Sequence, residues 1–113
     1  MLQISASTLA DLERYGLIVG TTVGNDTLYD GEAVEIARLA TEFAAHGIDA
    51  RHLRMYKMAV EREMGVFEQV LVPLLRDRNS ERNRQVAAIL AELVELGDSL
   101  RRVLMTQASR AFK

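Results

Sequence analysis

The sequence predicts a mainly α-helical fold with one small β-hairpin, ending in two long antiparallel helices. In the first half, a glycine followed by an apolar residue ends a helical segment at Gly16-Leu17 and again at Gly47-Ile48, with turn-forming residues between them. In the second half, apolar residues recur every three or four positions. With 113 residues, the chain is predicted to be a single domain, 1–113, divided internally into 1–49 and 50–113.

Composition excludes several classes of function. The chain has no cysteine, which removes disulfides, thiolate metal sites and cysteine nucleophiles. The formal net charge is −2, so no global electrostatic attraction draws the chain to nucleic acid. Met1 is followed by neither a signal sequence nor a long uncharged apolar run, so we expect a cytoplasmic protein with no membrane partner.

The first predicted elements are a short helix and a hairpin. Ser7 is expected to cap a helix from Thr8 to Tyr15, because a serine hydroxyl accepts hydrogen bonds from the free N–H groups of a first turn. Leu17 to Val19 then begin a β-like run, Gly24 to Asp26 form a turn, and Thr27 to Tyr29 form the returning run.

Aspartates are predicted to cap the next two helices. Asp30 precedes a helix that carries Ala33 to Ala45. The charges of that helix fall on one stripe, which leaves it apolar on most sides, so we expect it to be wedged between other elements. Asp49 precedes a longer third helix, which Pro73 is expected to kink or stop.

The last helix is predicted from Glu81 to Ser109, after a polar connector at Arg76 to Ser80 in which Asn79 or Ser80 provides the cap. Its apolar positions follow a heptad-like spacing, which predicts a seam that packs on another helix. That partner is the third helix of the same chain, a second copy, or both. The predicted homodimer interface consists of Leu90, Leu93, Leu96, Leu100, Val103 and Leu104.

The densest polar and aromatic cluster follows Asp49 directly. Its candidate contacts to an unknown small-molecule effector or a partner subunit are Arg51, His52, Arg54 and Tyr56. Arginine suits an anionic effector because its guanidinium binds carboxylates and phosphates in a bidentate manner. A solvated rim is the simpler interpretation of the same residues. A second candidate pocket lining, which is more typical of a core, consists of Leu53, Tyr56, Met64 and Phe67.

Neither a metal site nor a catalytic site is predicted. Four side chains could supply nitrogen and oxygen ligands, namely Glu42, His46, Asp49 and His52, but a solvated polar stripe is the more common meaning of this spacing. The sequence has no glycine-flanked nucleophile elbow, phosphate loop or His-Glu-x-x-His helix. We therefore predict that the chain is not an enzyme, has no catalytic residues and needs no cofactor.

Several segments carry a family resemblance: Leu12 to Ile18, Tyr29-Asp30 with Val34 and Ile36, and Gly47 to Arg54. Together they resemble the second half of the winged helix-turn-helix in MerR-type (mercury-resistance regulator) transcription factors. A closer resemblance is to two-part actinobacterial members, whose C-terminal half is similar to a degenerate winged helix followed by two helices. The segments that carry it are Ile36–Ala40, His46–Arg54, Phe67–Arg76 and Arg78-Asn79.

This resemblance implies a regulator whose full-length form binds promoter DNA as a dimer through an N-terminal winged helix that is absent from this chain. The C-terminal part then dimerises or senses an effector. In this interpretation, residues 1–49 form the winged-helix-like part and residues 50–113 form the helical dimerisation or effector part. The recognition-helix position carries Asp11 and Glu13 against Arg14, so we expect no DNA contact there. The rival interpretation is a stand-alone helical protein-interaction module with no small-molecule ligand, and a basic winged helix encoded upstream in frame would favour the regulator.

Overall fold

The structure, a computed structural model, describes residues 4–75 and 80–112 and forms two compact units, Met1–Glu61 and Arg62–Lys113. The predicted mainly helical fold with a small antiparallel hairpin is confirmed. In chain order the elements are α1 (Ala6–Arg14), β1 (Thr21–Val23), β2 (Asp26–Leu28), α2 (Gly31–Ala44), α3 (Ala50–Leu71), a 3-10 turn (Val72–Leu75), α4 (Ser80–Ser109) and a second 3-10 turn (Arg110–Phe112).

Helix α1 begins two residues earlier than predicted. Its N-cap is Ser5 and not Ser7, because the Ser5 hydroxyl accepts from the backbone N–H of Thr8 at 3.1 Å. Its C-terminal end follows the prediction. Gly16 adopts a φ of 74°, and the N–H of Leu17 donates back to the carbonyl of Leu12 at 2.8 Å, which is the Schellman arrangement.

The hairpin is confirmed, but its strands are shifted. The first strand is β1 (Thr21–Val23) and not the run from Leu17 to Val19, because Ile18 is buried in the core and cannot lie in an exposed two-stranded ribbon. Strand β2 starts at Asp26, which pairs with Val23 and is not part of the turn. The turn is therefore Gly24-Asn25, and Gly24 supplies the positive φ that a tight two-residue hairpin loop requires.

Helix α2 begins as predicted, with the Asp30 carboxylate accepting from the N–H of Ala33 at 2.8 Å. Its buried face is narrow and made of small side chains, namely Ala33, Ala37 and Ala40. The expectation that α2 is wedged on most sides was wrong, since Val34 and Leu39 are each 42% exposed. Alanines allow the neighbouring backbone to approach closely along one stripe, which leaves the larger side chains on the flanks.

The core of the first unit gathers side chains from α1, α2, the start of α3 and the segment before the hairpin. The buried members are Leu12, Ile18, Ala33, Ala37, Ala40 and Leu53. Half-buried residues surround them, including Phe43 and Ile48. This core holds the first turns of α3 against α2, and the cleft described below lies beside it.

The second unit contains the end of α3 and the whole of α4. Helix α3 stops at Leu71, and Pro73 lies in the following 3-10 turn, as expected of a residue that cannot donate to a helix interior. Of the predicted connector, Arg76 to Ser80, residues 76–79 lie outside the described residues, and Ser80 is the first residue of α4. The two helices pack antiparallel within one chain: Arg101 donates to the Glu63 carboxylate, and a side chain at Gly97 would collide with that same carboxylate.

Candidate functional site

An apolar groove lies on the first unit between α2 and the N-terminal half of α3, with a volume of 540 Å³. Side chains of Leu39 and Phe43 form one wall, and those of Leu53, Tyr56 and Val60 form the other. The α3 residues are spaced by three and four positions, so they share one face of the helix. Leu39, Tyr56 and Val60 are 42%, 47% and 57% exposed, so large apolar surfaces face the open groove.

Two aromatic rings face each other across this groove. The ring centroids of Phe43 and Tyr56 lie 5.8 Å apart with an interplanar angle of 38°. That spacing is favourable for aromatic rings, which prefer offset or tilted arrangements over a direct face-to-face stack. The pair therefore links α2 to α3 and presents aromatic surface to any occupant.

The charged side chains at the groove are already engaged with the protein. The Lys57 ammonium donates to the backbone carbonyl of Gly16, at the end of α1 where helix carbonyls lack partners. Its nitrogen also lies 3.9 Å from the Glu61 carboxylate. The lysine and the glutamate therefore offset each other, and the groove carries no net charge at its rim.

The structure separates the four predicted effector contacts. Tyr56 lines the groove, whereas Arg51 lies on the opposite side of α3, about 160° around the helix from Leu53. Arg51 instead approaches the Asp49 carboxylate at 3.9 Å and borders a small crevice shared with α1. Arg54 is exposed and does not line the groove. The role of these residues as effector or partner contacts stays a prediction.

His52 takes part in the cap of α3. The Asp49 carboxylate accepts from the N–H groups of Arg51 and His52, as predicted for the cap, at 3.1 and 3.4 Å. In return the Nδ1 of His52, when unprotonated, accepts from the N–H of Asp49 at 3.1 Å. This reciprocal pattern is that of a capping box, with histidine in the place of glutamate. Among residues 4–75 and 80–112, no three histidine or carboxylate side chains gather as a metal site would require.

The second predicted lining, a set of four apolar residues, is divided between the two units. Leu53 and Tyr56 line the groove, while Met64 and Phe67 belong to the second unit. The groove residues missed by the sequence analysis were the α2 wall and also Leu17, Lys57, Val60 and Glu61. The signal for the α2 wall was present in the spacing of Ile36, Leu39 and Phe43, which share a face of α2.

The predicted interface on α4 falls into two groups. Leu90 and Leu93 are half-buried, while Leu96, Leu100, Val103 and Leu104 are 59%, 61%, 57% and 54% exposed. The four exposed residues span about 100° of the helix circumference, so they form one face, here called the α4 apolar face. Its use as a dimer interface stays a prediction.

Charges along α4 are segregated. Its middle carries three acids and no base, at Glu92, Glu95 and Asp98. Its C-terminal part carries two bases and no acid, at Arg101 and Arg102, and Arg110 follows in the second 3-10 turn. Arg101 is engaged within the unit, because it donates to Asp98 at 3.0 Å as well as to Glu63. Between Glu92 and Arg102 the charge along α4 therefore changes from acidic to basic, whereas its first turns carry both signs, at Glu81, Arg82 and Arg84.

Fold and surfaces together define a mainly helical domain with an apolar groove on its first unit and an exposed apolar face on α4. Within the described part of the chain, no helix has the length and apolar character needed to cross a membrane. The family described as "Rv1828-like, C-terminal domain" matches residues 1–113, so the chain belongs to the Rv1828-like C-terminal domain family.

Two relatives are named as HTH-type transcriptional regulators: Rv1828 of Mycobacterium tuberculosis and Mb1859 of Mycobacterium bovis. Each is 31% identical to this chain over 98 residues, which covers 80% of this chain. The alignment covers 38% of each relative, so the chain spans well under half the length of these proteins.

Proposed function

We propose that this chain is the C-terminal dimerisation or effector-sensing part of a MerR-like transcription regulator. In this proposal it holds two copies together through α4, while another part of the full-length protein contacts promoter DNA. The names of the relatives support a regulator. The α1–hairpin–α2 order supports a degenerate winged helix, and Asp11 and Glu13 on α1 disfavour phosphate contacts by that helix.

The observation that carries the proposal is the α4 apolar face. Four large aliphatic side chains stand more than half exposed on one side of a 30-residue helix. A soluble protein seldom leaves so contiguous an apolar patch in water, and the spacing of three and four is that of helix-to-helix packing. The occupant that we propose for this face is the same face of a second copy.

We infer an antiparallel pair of α4 helices that cross with Ser99 near the two-fold axis. In this arrangement Glu92, the acid on the flank of the α4 apolar face, lies beside the uncharged Thr106 of the other copy. The antiparallel arrangement also brings Leu96 of one copy close to Leu100 of the other.

Sedimentation of the whole chain tests the dimer. We expect the wild-type chain to sediment as a dimer and the double variant Leu96→Glu, Leu100→Glu to sediment as a monomer with unchanged helix content. The matched control is Met105→Glu, because Met105 is 60% exposed but lies about 150° around α4 from the centre of the face. A wild-type monomer at high concentration would favour the stand-alone interaction module instead, and a Met105 variant that also dissociates would contradict the assignment of the face.

Cysteine cross-linking tests the orientation, and the chain has no native cysteine to interfere. Glu92 and Thr106 each lie seven residues from Ser99 on the same flank of α4. In the antiparallel pair, Ser99→Cys forms a disulfide with its own copy, and a mixture of Glu92→Cys and Thr106→Cys forms the mixed disulfide. Self-cross-linking of a Val103→Cys chain would indicate a parallel pair, because in the antiparallel pair the two copies of residue 103 lie about 12 Å apart along the helix axis.

A further inference from the structure

We propose that the groove between α2 and α3 binds an uncharged, largely apolar small molecule that contains an aromatic ring. This inference rests on the effector-sensing half of the proposed function and names the class of effector. It concerns the first unit alone and does not depend on how α4 associates. The lining, the charge and the size of the groove each support it.

The lining fits an apolar ring. Leu39 and Val60 stand on opposite walls with much of their surface exposed, and the tilted Phe43–Tyr56 pair adds aromatic surface. A third ring can pack against this pair at a similar centroid distance. The Tyr56 hydroxyl supplies a polar group that can orient a ligand through one hydrogen bond. Mostly apolar walls with few polar groups are typical of ligand pockets.

The charges at the groove favour a neutral ligand. An anion would need the Lys57 ammonium, which already donates to the Gly16 carbonyl and lies beside Glu61. A cation would need the Glu61 carboxylate, which lies beside the same ammonium. Either ion would lose its water against an apolar surface beside a charge that its opposite neighbour already offsets, and that loss is costly.

The size of the groove favours a small molecule over a helix from a partner protein. The wall on α3 runs from Leu53 to Glu61, which is about 12 Å along the helix axis. A docked helix would contact this wall through little more than two of its turns. The area buried by such a contact is far below the roughly 800 Å² per partner of a stable protein interface. A volume of 540 Å³ instead lies within the range of about 300–1,000 Å³ that is usual for drug-sized ligands.

Binding of the neutral dye Nile red to the full chain tests the site. We expect saturable binding with a blue-shifted emission, and we expect Val60→Arg and Leu39→Arg to weaken it at least tenfold. Both positions are substantially exposed, so neither variant should unfold the domain. The matched control is Met55→Arg, because Met55 is 60% exposed on α3 but does not line the groove, and this variant should bind the dye as the wild type does.

Displacement of the dye tests the ligand class. We expect 2-naphthol, which is neutral, to displace Nile red at a concentration at least tenfold lower than 2-naphthoate or 2-naphthylmethylammonium. Preference for either ion would overturn the charge argument. Dye binding that never saturates, or that Met55→Arg weakens as much as Val60→Arg, would overturn the site. Sedimentation of the same samples reports the dimer separately, so failure of one proposal is distinguishable from failure of the other.

Discussion

Replacing Leu12 by alanine removes the largest fully buried side chain of the first unit. Leu12 is 0% exposed and belongs to the cluster that joins α1, α2 and the start of α3. A buried Leu→Ala substitution costs about 2–5 kcal/mol, because burial is lost and a cavity remains. Since domains are stable by only about 5–15 kcal/mol, we expect a large fall in the unfolding midpoint, roughly 10–25 °C for a unit of this size.

Tyrosine fluorescence measures this effect in the first unit selectively. All three tyrosines (Tyr15, Tyr29 and Tyr56) lie there, and the chain has no tryptophan. The matched control is Leu28→Ala, since Leu28 is 57% exposed and its truncation should change the free energy of unfolding by no more than about 0.5 kcal/mol. Equal midpoints for the Leu12 and Leu28 variants would refute the assignment of the core.

Two further substitutions test the packing at the hairpin and the charges on α2. Gly20→Ala should destabilise the first unit by about 1–3 kcal/mol, since the added carbon would lie 2.8 Å from Glu13 Oε1 and 3.0 Å from the Tyr29 ring. The control is Gly31→Ala, where the added carbon meets open space. Equal urea midpoints for the two variants would contradict this prediction. Hydrogen bonding from Arg38 holds the pKa of the Glu35 carboxyl below its ordinary value of 4.5, so the ion pair stabilises the folded chain above that pH and the contribution is lost as the pH falls through the lowered pKa. The thermal unfolding midpoint of the wild type should therefore be slightly higher than that of Glu35→Gln near neutral pH, and the two midpoints should be equal in acid. A difference between the midpoints that persists in acid would show that the charge of Glu35 does not cause it.

Much of the fold was predictable because its signals are local. Asp30 and Asp49 cap their helices through hydrogen bonds to N–H groups two or three residues away. The predicted bounds of helices and strands were wrong where two local signals compete. Ser5 and Ser7 are both good caps by residue type, and the preference of Leu17 to Val19 for extended backbone gave way to burial of Ile18 in the core.

The α4 seam shows the same limit at the level of function. Its spacing predicted a packing face, and the structure divides that face between residues half-buried inside the second unit and residues left exposed. The spacing alone could not make this division, because Leu93 and Leu96 are equally apolar. Their environments differ only because α4 has the rest of its unit on one side and not on the other.

The sequence by itself determined where α2 and α3 begin and where α1, α2 and α3 end, through caps, glycines and one proline, because those groups act over a single turn. It also determined that the last helix carries an apolar seam. Only the tertiary structure decided where the apolar groove lies. The groove depends on contacts such as that of Lys57 with Gly16, 41 residues away, and of Phe43 with Tyr56 on a neighbouring helix. Contacts of that kind are selected by packing of the whole unit, so they leave no pattern in any short stretch of the chain.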